Sequence, residues 1–264
     1  MLESENSLKV FQKLKKHQFL FQQLVHRDFT KKYKRTVLGM AWSMLSPLLN
    51  LLVMRIIFTT LLGSSIEHYT VYLFSGQLVY SFFNESTNDG MTSLLNNAEI
   101  FTKVNVPKYM FLFSRNISSL INFAITLIIY FIFVIADGIP ITWRFISLIY
   151  PIICLVIFNL GMGLILSAVY VFFRDIQYLY SIFTLLLMYM SAIFYSIEEF
   201  PEIGRQLFLL NPIYLYIRYF RKVVIEATIP TLQFHLLALV YASSVFAIGC
   251  YIYKKKNHSF LYYV

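Results

Sequence analysis

Charge is scarce in this 264-residue chain: Asp, Glu, Lys and Arg together make up 13% of it, against about 25% in an ordinary globular domain. With 58% hydrophobic residues and a mean hydropathy of +0.65, too little polar surface remains to cover a soluble core. A soluble fold is excluded, and the chain reads as an all-α polytopic membrane protein. Cysteine is nearly missing as well. Cys154 and Cys250 both fall inside apolar runs, so no disulfide framework is encoded. No Gly-x-x-x-x-Gly-Lys loop is present to cradle ATP phosphates. The five histidines show no metal-ligand spacing, and no Gly-x-Ser-x-Gly nucleophile setting occurs. Acids are absent from the middle of the apolar runs, with Glu67 and Asp137 at their ends, whereas proton-coupled carriers depend on such groups. The expectation is a transport pathway that is not itself an enzyme and binds no cofactor.

What the chain does have is positive charge in particular places. The net charge is +9, and nine of the 22 cations precede residue 36. Three more form Lys254-Lys255-Lys256. These flank apolar runs, which is the pattern of membrane topology and anionic-lipid attraction rather than of nucleic-acid binding. Residues 26–47 organise the rest. A basic stretch from Arg27 to Arg35 leads directly into the first apolar run, pinning its basic end to the cytoplasm. The N-terminal stretch lacks the apolar core of a cleavable signal peptide, so the first span is expected to act as its own signal.

In chain order, residues 7–25 place Leu8, Phe11, Leu14, Phe21 and Leu24 or Val25 at three- and four-residue spacing. That predicts an amphipathic helix in the cytoplasmic interface, apolar face toward acyl chains, the alternative being a solvated arm. Spans are expected at 37–62, 69–83, 111–136, 145–173, 178–197 and 232–253. Arg55 lies about 27 Å along the first at 1.5 Å per residue, where it snorkels to the outer headgroups or faces the transport path. After residue 83 the chain turns polar, which predicts a helix running beyond the membrane and then a short cytoplasmic helix over 94–104. Asp137-Gly138-Ile139-Pro140 is a turn. Gly161, Gly163 and Ser167 suit close helix packing. Residues 198–231 combine acids, a proline and an aromatic-rich run, and read as a re-entrant helical hairpin in the outer leaflet. Six crossings put both termini in the cytoplasm, with sixteen of the 22 cations inside. The chain divides into a cytoplasmic interface segment at 1–36, a six-span bundle at 37–253 and a cytoplasmic tail at 254–264, all one transmembrane domain.

Arg27-Asp28 followed by Lys31 through Trp42 and then Pro47 resembles the opening motif of permease subunits of bacterial polysaccharide ABC exporters. Three later stretches match in order: Asn96 to Val104 with Pro107-Lys108, Val171 to Ile176, and Leu210-Asn211-Pro212 ahead of Arg218 and Arg221. Departures are Val79-Tyr80, where many relatives carry Pro-Trp, and Ser191-Ala192, where a proline is usual. The resemblance implies a homodimer in the bacterial cytoplasmic membrane, paired with a separately encoded ABC ATPase that binds ATP and Mg. It would export an undecaprenyl-diphosphate-linked glycan such as O-antigen, teichoic acid, capsule or rhamnan. It also implies that Ile100, Phe101, Lys103 and Val104 belong to the coupling helix that receives the ATPase stroke, and that the outer hairpin forms gate helices. Another amphiphile, a lipid or a drug, is the alternative cargo, and an integral-membrane enzyme of glycolipid assembly is the alternative class.

Two sets of candidate site residues follow. Trp42, Tyr80, Tyr189, Phe194 and Tyr195 are candidates to line a channel, because rings stack on the apolar faces of sugars. Headgroup belts and lipid-facing packing use the same residue types. Arg218, Arg221 and Lys222 fall within one helical turn and are candidates to hold a diphosphate at the outer exit, or to meet anionic headgroups. Neutralising Arg218 and Arg221 together is expected to reduce export and spare membrane insertion. Arg174 and Asp175 are expected to cap the turn between spans four and five.

Overall fold

The computed structural model describes residues 17–33, 36–61, 66–104, 106–198, 200–257, 259–261 and 263. Most of the expected interface helix, residues 7–16, lies outside them. Among the described residues every regular element is helical: α1 Gln18–Tyr33, α2 Trp42–Arg55, α3 Tyr69–Thr92, α4 Ala98–Lys103, α5 Tyr109–Ala136, α6 Ile149–Phe172, α7 Ile176–Met190, α8 Glu202–Phe208, α9 Pro212–Val224 and α10 Leu232–Lys256. Short 3₁₀ turns precede α2, α4 and α6, and π-helical turns continue α2 over Ile56–Leu61.

Four helical stretches are long and apolar enough to cross a bilayer: Gly39–Phe58, Tyr109–Ala136, Trp143–Phe172 and Leu232–Lys256. They coincide with the first, third, fourth and sixth expected spans. The remaining two differ for different reasons. α3 has the length, but its last two turns carry Glu85, Asn88 and Asp89, as the polar switch after residue 83 anticipates. α7 is apolar but only 15 residues long, about 22 Å at 1.5 Å per residue. It stops at Met190, short of the expected 197. Ala192 has φ +48°, a left-handed conformation that ends the helix, and the chain then folds back into the bundle.

α3 is the central post. It packs on α5, α6 and α9, and Phe74, Phe83 and Val79 on it are fully buried. The tightest pairing is α6 with α10. A Cβ on Gly161 would lie 2.6 Å from the backbone nitrogen of Phe246, and one on Gly249 would lie 2.6 Å from the Gly161 carbonyl. The two backbones therefore touch where neither helix has a side chain, which is the use expected for Gly161. α1 departs from its expectation. Leu24 is buried in an apolar cluster with Leu94, Phe101, Phe111 and Leu112, so this part of its apolar stripe faces α5 and the 3₁₀–α4 corner instead of acyl chains.

The 198–231 stretch does contain two helices, and they differ sharply. α8 is largely exposed, whereas Ile213, Leu215, Tyr216, Ile217, Tyr219 and Phe220 of α9 are buried completely. Asn211 caps α9, its side-chain oxygen accepting from the amides of Ile213 and Tyr214 at 3.0 and 3.4 Å, with Pro212 at the first helical position. The same side chain donates to the Met190 carbonyl at 3.2 Å and to Ser191 Oγ at 2.9 Å. The capping residue thus staples the hairpin to the broken end of α7.

Candidate functional site

Two buried charges mark the ends of the molecule, and neither role is apparent from the sequence pattern. The first is Asp28, whose side chain is fully buried between α1 and α5. It accepts from Arg27 Nε and Nη2 at 3.0 and 2.7 Å and from Ser114 Oγ at 3.0 Å, and Arg115 Nε lies 3.5 Å away. Arg27 Nη2 also donates to Asn97 Oδ1 at 2.7 Å, and Asn97 Nδ2 donates to the Ser93 carbonyl at 2.7 Å. One guanidinium therefore joins α1 to the corner between α3 and α4. A buried carboxylate needs this density of donors to remain ionised.

Of the four expected coupling residues α4 holds Ile100, Phe101 and Lys103, and Val104 follows directly in extended conformation. Phe101 is buried against Phe111, ring centroids 6.0 Å apart, and Ile100 packs beside it. Lys103 and Val104 are exposed. The helix is thus anchored on one side and exposed at its C-terminal end. Lys108 bridges it to the tail, its Nζ 5.7 Å from the Phe101 ring and 5.5 Å from that of Phe260, and it donates to the Asn257 carbonyl. Burial pushes this ammonium below the usual lysine range.

At the opposite end, a cavity of about 430 Å³ is bordered by Arg205, Arg218, Arg221 and Lys222 against Glu198 and Glu202. Its wall carries more cations than acids, which favours an anion. The three candidates of α9 are not equivalent there. Arg218 pairs with Glu226, and Lys222 Nζ sits 4.9 Å from the Phe234 ring centroid. Arg221 is 2% exposed. Its guanidinium lies 3.4 Å from the Tyr72 ring centroid and donates to Ser75 Oγ and to the carbonyls of Tyr72, Ala192 and Ile193 at 2.9–3.3 Å. Those last two carbonyls belong to the break after α7. Arg221 therefore holds together the chain just past a helix end, a packing role that Arg218 and Lys222 do not share.

The five channel aromatics divide. Tyr189, Phe194 and Tyr195 come together just past α7: the Phe194 and Tyr189 rings are 6.1 Å apart, and Tyr195 Oη donates to the Tyr189 carbonyl at 2.9 Å. Phe194 also stacks on Phe58 at 4.8 Å, joining the group to the π-helical end of the first span. Tyr80 is buried apart from them, donating to the Thr184 carbonyl at 2.8 Å. Trp42 stands elsewhere, at a polar cleft between α2, α3 and α5 that none of the other four borders.

A profile of the family described as ABC-2 type transporter matches residues 19–225. Two relatives are similar along nearly their whole length. The O-antigen export system permease protein RfbA of Klebsiella pneumoniae is 27% identical over 251 residues, covering 92% of this chain and 95% of the relative. The protein of the same name from Myxococcus xanthus is 27% identical over 242 residues, covering 90% and 92%. With a match over residues 19–225, most of its length, the chain belongs to the ABC-2 type transporter family of membrane proteins.

Proposed function

We propose that this chain is the permease subunit of an ATP-driven exporter of cell-surface polysaccharide, in which two copies pair with a separately encoded ABC ATPase. The cargo is an undecaprenyl-diphosphate-linked glycan. The observation that carries the reading is the end-to-end likeness to O-antigen export permeases from two distant bacteria. Several physical features support it. The sequence has no phosphate loop of its own, and the end of α4 offers Lys103 and, just beyond it, Val104, both exposed on an anchored base, where an ATPase stroke would enter. α2 and α7 carry long uncovered apolar faces, among them Leu52, Val53, Ile182 and Leu186, which suit a second copy as well as lipid. In this reading α3 and α7 complete six crossings, both termini face the cytoplasm, and α8 and α9 form the outer gate. The cavity at Arg218 and Lys222 takes the diphosphate.

The test is reconstitution with the adjacent ATPase in lipid nanodiscs. ATP hydrolysis should rise on adding the lipid-linked glycan, and deletion of the gene should strip the glycan from the cell surface. Stimulation by a phospholipid or drug but not by glycan would reassign the cargo to another amphiphile. Activity of the chain with no ATPase present would overturn the reading.

A further inference from the structure

The cleft beside Trp42 has a volume of about 390 Å³, within the range of small-molecule sites. On α3, Gln77, Ser81 and Glu85 recur every four residues, and on α5, Ser119, Asn122 and Thr126 recur at three and four. Each set therefore lies on one face of its helix, and both faces line the cleft. From Gln77 to Glu85 the α3 stripe extends about 12 Å at 1.5 Å per residue. In a lipid-embedded bundle, polar stripes of this kind are unfavourable unless something satisfies them.

They satisfy one another only in part. Gln77 Nε2 donates to Ser81 Oγ at 3.1 Å, but the buried Gln77 Oε1 has no partner. Ser119 is 1% exposed, and its hydroxyl is likewise unpartnered. Gln77 Oε1 calls for a donor, while the Ser119 hydroxyl takes either a donor or an acceptor. A ligand hydroxyl supplies both. Charge narrows the class further. Among the described residues, the charged ones lining the cleft are Lys32 and Glu85, paired at 2.8 Å, with Asn122 Nδ2 donating to Glu85 at 2.8 Å. The described wall is neutral in sum and offers an anion no advantage, unlike the cavity at Arg218. Trp42 and the Phe82–Phe123 ring pair, centroids 4.6 Å apart, add flat apolar surfaces beside the hydroxyls.

We infer that this cleft is a binding site for neutral sugar residues, separate from the site that takes the charged end of the cargo. For the source of the ligand, the exported glycan, the inference rests on the export reading. The sequence contains two tryptophans, Trp42 and Trp143, so Trp143→Phe leaves Trp42 as the sole reporter. The full chain carrying this change, in detergent micelles, is titrated with neutral oligosaccharides released by mild acid from the surface glycan of the producing cells. A saturable change in Trp42 emission is expected. Ser119→Ala, which removes only a hydroxyl, should weaken it about five-fold, and Gln77→Leu with Ser119→Val should abolish it while the elution volume stays that of the parent. Undecaprenyl diphosphate without sugar should leave the emission unchanged. An absent response, a response indifferent to both variants, or one evoked by undecaprenyl diphosphate alone overturns the site. Glycan-stimulated ATP hydrolysis by the complex is read separately. If hydrolysis is stimulated and Trp42 stays silent, the site fails and the export reading stands; if stimulation is absent, the export reading fails.

Discussion

Asp28 and Arg221 are both buried charges, yet they are neutralised in opposite ways. Asp28 is met by ionised partners: Arg27 supplies two bonds, and Arg115 stands nearby. Arg221 bonds to three backbone carbonyls and a serine, with Tyr72 beneath its plane and, among the described residues, no carboxylate paired with it. Ion pairs between separate helices can be lengthened and exchanged, because Arg27 is 40% exposed at its side chain and water can take over its donors. Carbonyls freed by a helix break have no such recourse in a lipid-surrounded bundle. The first arrangement is a joint and the second is a splice. The joint lies at the end that carries α4, where force from a partner would enter, and the splice at the end that must hold shape.

That contrast can be broken experimentally, beginning with the largest effect. Arg221→Met removes four hydrogen bonds, among them the one that the Ile193 carbonyl receives in the bundle interior, and should cost about 3 kcal/mol or more, seen as a lowered melting temperature and loss of folded protein after extraction. Arg221→Lys should fail similarly, since an ammonium lacks the planar fork that reaches several carbonyls at once. A parental melting curve for Arg221→Met would dissolve the distinction.

Asp28→Asn should be milder for stability, about 2 kcal/mol, because its partners can rehydrate. Its signature is functional: in the reconstituted complex, export should fall by more than ATP hydrolysis does. Equal losses in both would make Asp28 merely structural. Smaller again is Arg218→Gln with Lys222→Gln. Melting should shift by no more than about 0.5 kcal/mol, and export should drop about tenfold if these groups meet a diphosphate. Unchanged export would leave that cavity without its assigned ligand.

The smallest effect concerns Asp89, near the joint on the polar end of α3. Burial holds its carboxyl above the ordinary value of 3.8, against the opposing pull of Arg115. The folded state therefore binds this proton more readily than the unfolded chain, and stability rises as pH falls from the raised value toward the ordinary one. Asp89→Asn should melt slightly higher at neutral pH and lose that acid-side gain, measurable as a flatter melting temperature against pH.

Much of the architecture was legible because bilayers impose long-range regularity on a chain. Apolar runs placed the first, third, fourth and sixth spans, and the polar switch after Phe83 anticipated the extension of α3. The small residues of α6 pointed to its packing. The short α7 was not legible: Ser191-Ala192 carries no proline or glycine to announce a break, and the carbonyls just past the left-handed Ala192 are held by Arg221, almost thirty residues later. The candidate sites divide in the same way. Arg218, Arg221 and Lys222 look alike on a helical projection, and only packing against α3 turns Arg221 inward. Arg27-Asp28 stood out as a motif, but its partners Asn97, Ser114 and Arg115 lie far along the chain, so no local pattern could reveal a joint.

By itself the sequence determined solvent and kind: low charge and long apolar runs require a bilayer, and the ordered motifs point to the family. Tertiary structure alone decided which polar groups are spent on holding helices and which remain open to a ligand. The reason is physical. Hydropathy and charge bias are properties summed over local segments, whereas the satisfaction of a buried donor or acceptor depends on groups that only folding brings within hydrogen-bond reach.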